Sequence, residues 1–263
     1  MGINFSTYEK TAIRASLLAG EAIRMVYYSA FDVESKSDNT PITLADKNAH
    51  DIIAEVLSST PYPVLSEEGI HLDYEERSSW EYYWLVDPLD GTREFVKRNG
   101  EFSVNIALMH LNEPIFGVIY APILKSLFVG GPHLGAFKAE VEKDLPENVV
   151  WTELPIEQSR TEFIVLGSRS HAPISEKLQA RLEKNHRSIR IIPLGSSLKI
   201  CKIAEGSADL YARLGPTMEW DTAAGDAICR AVGIPLKQYH TDENIQYNKP
   251  DLHNPDFYAG RFS

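Results

Sequence analysis

"WLVDPLDGTREF", residues 84–95, sets two aspartates, Asp87 and Asp90, at the exit of an apolar run with only Pro88 and Leu89 between them. Like charges this close repel, and a buried carboxylate without a partner is costly. Either the pair lies in an exposed turn or something positive belongs between them. Pro88 has no N–H and a fixed φ, so the strand is expected to stop there, and Gly91 permits a sharp turn after it. Side chains three apart across such a turn can face one space. The Leu89 carbonyl can point there as well. Thr92 opens what reads as a short helix, whose free N–H groups would favour a phosphate.

Two more acidic clusters follow short apolar segments: Glu67-Glu68 after "YPVL", and Asp221 in "MEWDTAAGD". No lysine or arginine is adjacent to Asp87, Asp90 or Glu67 in the chain. Taken singly, each cluster is an ordinary turn. If the three converge, their natural counter-charge is a hard divalent cation, Mg2+ with Mn2+ as a substitute. A metal pair about 3.5–4 Å apart can activate a water and stabilise the leaving oxygen of an in-line displacement. Competing signatures are absent: there is no GxxxxGK[ST], GxGxxG, HExxH or GxSxG. "DPLDGT" also differs from the DxDGT of haloacid-dehalogenase phosphatases in the spacing of its aspartates.

The rest of the chain fits a soluble enzyme. It has 263 residues, 43% hydrophobic and 24% charged, with a net charge of -11. Such a balance argues against a nucleic acid polymer as partner. Cys201 and Cys229 form no CxxC, which suggests a reduced interior and no structural zinc. No stretch reaches the ~20 apolar residues of a membrane span. The expected location is therefore cytoplasmic, with peripheral contact at an inner membrane left open. Oligomeric state has no sequence signal.

"STYEKTAIRASLLAGEAIRMVYY" begins with Ser6 and Glu9 at capping-box spacing and continues as an amphipathic helix. A polar loop and a second helix from near Asp46 follow. Short strands are expected at "YPVL" and "YYWLV", then an antiparallel meander from Phe102. "VEKDLPEN" is the best boundary, dividing the chain into 1–145 and 146–263. The second half alternates strand and helix, with helices over about 174–185, from Leu198 and from Thr222, and late strands around Tyr247 and Phe257. These layers make an α/β protein with helices packed on two sheets.

"DPLDGT" at 87–92, "LSEE" at 65–68 and "WDTAAGD" at 220–226 together resemble the signatures of the inositol monophosphatase superfamily. That resemblance implies an αβαβα sandwich and a Mg2+-dependent, Li+-sensitive phosphomonoesterase. "YWLVDPLDGTREFVKRNGEFSVNIAL", "GVIYAP", "GSSLK" and "YARLGPT" are similar to the bacterial 3'(2'),5'-bisphosphate nucleotidases of the CysQ type. By resemblance, Glu67, Asp87 and the Leu89 carbonyl hold one Mg2+, and Asp87, Asp90 and Asp221 hold a second. Glu67 also reaches a weaker third. Asp46 and Thr92 would orient and deprotonate the attacking water, with Glu67 counted among the catalytic residues. The substrate would touch Glu67, Leu89, Asp90, Gly91, Thr92, Asp221, His171, Ser196, Lys199 and Arg213. The implied reaction converts adenosine 3',5'-bisphosphate to AMP and phosphate, clearing a by-product of sulfate assimilation. The alternatives are an inositol monophosphatase or fructose-bisphosphatase specificity, and a catalytically silent metal- or nucleotide-binding regulator.

Overall fold

A computed structural model describes residues 3–29, 41–70, 72–142, 149–169, 174–185 and 187–262. Helix α1 (Thr7–Tyr28) starts with the expected capping box, in which the Ser6 hydroxyl accepts from Glu9 N–H and the Glu9 carboxylate from Ser6 N–H. Helix α2 (Pro41–Leu57) begins five residues before Asp46, the expected start. Proline suits a first helical turn, where no N–H is needed, so the helix reaches back to it.

The first sheet has seven strands in chain order. They are β1 (Val64–Ser66), β2 (Tyr82–Asp90), β3 (Ser103–His110), β4 (Glu113–Ala121), β5 (Ser126–Gly131), β6 (Gly135–Glu140) and β7 (Thr152–Glu153). A short helix α3 (Tyr74–Arg77) precedes β2, and α4 (Thr92–Val96) follows it. Only β1 and β2 pair in parallel; the others are antiparallel, as the meander predicts. The expected division at 145/146 falls outside the described residues, and β7 beyond it still pairs with β6.

The second sheet, of five strands, is ordered β11-β12-β10-β8-β9. Its strands are β8 (Phe163–Ser168), β9 (Ile189–Leu194), β10 (Leu210–Arg213), β11 (Lys237–Gln238) and β12 (Phe257–Gly260). Helices α5 (Glu176–Asn185), α6 (Leu198–Ala204) and α7 (Ala223–Ala231) alternate with them. No strand forms at Tyr247. Its hydroxyl instead donates to buried Asp226, which also pairs with Arg230, so this tyrosine serves as a loop anchor.

Side-chain alternation along the strands separates the layers. Trp84 and Val86 of β2, with Val104, Ile106 and Leu108 of β3, join Ile13, Leu17 and Ile53 of α1 and α2 in one core. Tyr83, Leu85, Ala107 and Met109 point the other way, into a second core with Ile200, Cys201, Ile228 and Cys229 of α6 and α7 and with Tyr211 and Phe257 of the second sheet. Leu178 and Leu182 of α5 cover the outer face of that sheet. The order is helix, sheet, helix, sheet, helix. Both cysteines are buried and free. Gly117 lets α7 approach β4 closely, since a Cβ there would run into the Ala224 carbonyl. Among the described residues, no helix is long and apolar enough to cross a membrane.

Candidate active site

Strand β2 does not end at Pro88; it runs to Asp90. Asp87 lies opposite Asn105 and Asp90 opposite Ser103, so three steps on β2 match two on β3. This irregularity absorbs the missing donor of Pro88 as a bulge, and a bulge re-aims the side chains around it. The Asp87 carboxylate accepts from Leu89 N–H at 3.0 Å, closing the turn on itself. Gly91 then takes a left-handed conformation (φ 96°) at the head of α4, as the sharp turn demands.

The acidic clusters converge. Glu67 follows β1, and its N–H is held by the Val86 carbonyl of β2. Asp221 closes a single 3-10 turn, Glu219–Asp221, just before α7, with its Oδ2 accepting from Met218 N–H at 2.8 Å. Ligand oxygens of Glu67, Asp87 and Asp221 all lie within 4.8 Å of one another. Asp90 is close enough to raise the pKa of each. Its Oδ2 accepts from Ser196 Oγ, Ser197 N–H and Ser197 Oγ. Asp46 is buried, and its Oδ1 has no hydrogen-bond partner among the described residues. No hydrogen bond joins Asp46 to Thr92 there, although both sit beside the cluster.

The electrostatics are those of a site short of positive charge. Burial, then the neighbouring carboxylates, push Asp87 well above the usual carboxylate range. Burial and Asp90 push Asp221 up to about 8. Burial with Glu68 and Glu67 pushes Asp46 up to about 8. An all-oxygen, electron-rich donor set of this kind fits a hard divalent cation. The pH dependence follows from the direction of these shifts. An acid whose pKa rises on folding binds more protons folded than unfolded, so its contribution to stability falls as pH rises through that window. In EDTA the Tm is expected to fall between roughly pH 5 and pH 8. Saturating Mg2+ should remove that slope, because it takes the ionised ligands. A chelated protein whose Tm climbs across this range would contradict the assignment.

A cleft of about 200 Å³ opens beside the carboxylates, lined by Asp90, Gly91, Thr92, Ser196, Lys199, Arg213 and Asp221, among others. An apolar pocket of about 320 Å³, walled by Ile174, Leu178, Leu214 and Pro216, shares Ser168, Tyr211 and Arg213 with it. Lys199 is buried, and its ammonium donates to the Ser196 carbonyl at 2.6 Å and the Leu194 carbonyl at 3.2 Å. Burial pulls its pKa down to about 8. Lys199 thus braces the turn it comes from as well as facing the cleft. Arg213 is less satisfied: its Nη2 donates to the Pro216 carbonyl at 3.3 Å, and its buried Nε has no partner among the described residues. His171 lies outside the described residues.

The sequence reading missed Ser197, Asn105 and Ser103, which surround Asp90. The signal was present: an asparagine inside the apolar run "SVNIALMH" is a buried polar group, and such groups are the informative exceptions. It also missed the clamp at the cleft mouth. There Glu101 takes Arg169 through both Nε and Nη2 and accepts Gly195 N–H at 2.8 Å.

The description "Inositol monophosphatase family" belongs to a family model matched by residues 4–258. A relative from Escherichia coli (strain K12), the 3'(2'),5'-bisphosphate nucleotidase CysQ, is 46% identical over 243 residues, covering 91% of this chain and 94% of its own length. The crystal structure of CysQ from Bacteroides thetaiotaomicron, described as a bacterial member of the inositol monophosphatase family, superposes with a TM-score of 0.90. It is 45% identical and covers 98% of each chain. An inositol monophosphatase from Staphylococcus aureus MSSA476 shares the fold, with a TM-score of 0.71 at 22% identity over 96% of this chain and 91% of its own.

Proposed function

This chain belongs to the inositol monophosphatase family, and from that premise we propose that it is a Mg2+-dependent 3'(2'),5'-bisphosphate nucleotidase, hydrolysing adenosine 3',5'-bisphosphate to AMP and phosphate. The observation that carries this reading is one cleft with two kinds of wall: carboxylates at Asp90 and Asp221, and basic groups at Lys199 and Arg213. A monophosphate needs only the first wall. The second suits a phosphate that is held without being cut.

In this reading Glu67, Asp87 and the Leu89 carbonyl would hold one Mg2+, and Asp87, Asp90 and Asp221 would hold the other, with Glu67 available to a third. When bound there, Mg2+ would supply the missing positive charge, a more acidic water and compensation for charge on the phosphoryl oxygens. Thr92 would orient the attacking water and Asp46, whose Oδ1 is open to accept a proton, would deprotonate it. Water oxygen bonds to phosphorus as the bond to the ribose 3'-oxygen breaks. That oxygen leaves beside Asp221 and takes a proton from solvent water, and Asp46 returns to solvent the proton it accepted. Gly91 and Thr92 border the transferred group. Ser196, Lys199 and Arg213 face the nucleoside and its second phosphate, and the apolar pocket beyond Tyr211 gives the base a dry surface. The halves 1–145 and 146–263 then meet at the scissile bond.

Phosphate release in Mg2+ across a panel of esters tests the proposal. Adenosine 3',5'-bisphosphate should exceed inositol 1-phosphate and fructose 1,6-bisphosphate in kcat/KM by at least about 100-fold, or roughly 2.7 kcal/mol. Equal or better turnover of inositol 1-phosphate would reassign the substrate. Silence toward every ester would make the chain a binding protein.

A further inference from the structure

Resting on the reading of Asp90 as a metal ligand, we infer that Asn105 is a positioning residue. With Ser196 and Ser197, and with Ser103 behind them, it holds Asp90 by Oδ2 and leaves Oδ1 as the oxygen available to the metal. Asn105 is 1% exposed, third along β3, opposite Asp87. A carboxamide buried in an apolar strand is costly unless its hydrogen bonds are made. Its Nδ2 donates to Ser197 Oγ at 3.0 Å and to Asp90 Oδ2 at 3.4 Å, and its Oδ1 accepts from Ser103 Oγ at 2.9 Å.

Counting protons shows why the amide matters. Ser103 gives its only hydroxyl proton to Asn105, so toward Ser196 Oγ, 2.6 Å away, it can only accept. The Ser196 proton therefore has two takers, Ser103 and Asp90. The Ser197 proton also has two, Asp90 Oδ2 at 2.7 Å and the Asp221 carbonyl at 2.6 Å. The hydroxyls can switch. The Asn105 amide cannot: flipping it would aim an oxygen at a carboxylate. Asn105 is thus the fixed donor that gives the serine turn its polarity. Through Ser197, that turn links Asp90 on the first sheet to the Asp221 backbone. Groups that orient a metal ligand from behind are typically worth about 10–100-fold in metal affinity.

The test titrates Mn2+ into the substrate-free protein and counts free ion by electron paramagnetic resonance, beside steady-state kinetics in Mg2+. Asn105→Leu should raise the Mn2+ Kd about 10–100-fold. It should also raise the Mg2+ concentration for half-maximal rate, with kcat recovering at high Mg2+ and substrate KM little changed. A general loss of structure would show instead as an altered circular-dichroism spectrum in EDTA. Ser103→Ala, which removes one hydroxyl and adds no bulk, should shift the Kd the same way by less, and it carries the test if Asn105→Leu does not fold. Kd values within about twofold of wild type overturn the positioning role. A wild-type protein that binds no Mn2+ overturns instead the metal reading on which it rests.

Discussion

Asp87→Asn is expected to abolish turnover and, at the same time, to make the metal-free protein harder to unfold. Asp87 is 1% exposed, and four other acids, Asp90, Glu67, Asp221 and Asp46, act on it to oppose its charge. In the proposed mechanism it is the one side chain shared by both metals, so its loss should cut kcat at least about 10³-fold, or roughly 4 kcal/mol of barrier. The same substitution replaces an acid that burial and its neighbours forbid to ionise with a neutral group of the same shape, and the amide oxygen can still accept from Leu89 N–H. Relief of that repulsion should raise the Tm in EDTA by about 5 °C, on the scale of 2–4 °C per kcal/mol for a protein of this size. Calorimetry in EDTA and phosphate release in Mg2+ read the two effects separately. Activity within tenfold of wild type, or a lower Tm, would remove Asp87 from the centre. The trade of stability for activity is expected where a site is built from groups that repel until their ligand arrives.

Arg213→Ala should separate recognition from chemistry. Arg213 ends β10, lines both the acidic cleft and the apolar pocket beside it, and holds a buried Nε without a partner among the described residues. A guanidinium so placed matches a phosphate that is bound and not cut. Its loss should lower kcat/KM for adenosine 3',5'-bisphosphate about 100-fold, roughly 2.7 kcal/mol. p-Nitrophenyl phosphate, which has no second phosphate, should change less than about threefold. Arg213→Lys should restore part of the loss, since a point charge replaces some of a bidentate fork. Equal losses on both esters would return Arg213 to an ordinary strand-end charge. The test falls on Arg213 ahead of Lys199 because the Lys199 ammonium already donates to the Leu194 and Ser196 carbonyls.

The acidic clusters were legible in the sequence because their spacing is local. Asp87 and Asp90 are three apart on one strand, and Glu67 and Asp221 each follow a short apolar run. The layers were legible too, since period-two alternation in β2 and β3 sends neighbouring residues into different cores. The misreadings have a common cause. Pro88 looked like a strand end because a missing N–H is a local fact, whereas the bulge that accommodates it depends on β3 as partner. Tyr247 looked like a strand because its aromatic ring favours one, but its hydroxyl is bonded to Asp226 21 residues away. Ser197 and Asn105 escaped notice because they meet across 92 positions of chain. Pairings over such distances leave no periodicity to read.

The position of Asp221 has a consequence for how the protein comes to exist. Glu67, Asp87 and Asp90 belong to a sheet complete once its meander has closed, whereas Asp221 arrives with the turn that leads into α7, pressed between the two sheets. Until Asp221 has left the ribosome, the proposed ion cage stays incomplete. In the proposed arrangement the cation held with Asp221 rewards only the finished sandwich, so chelation should loosen the seam between the sheets before it loosens either sheet.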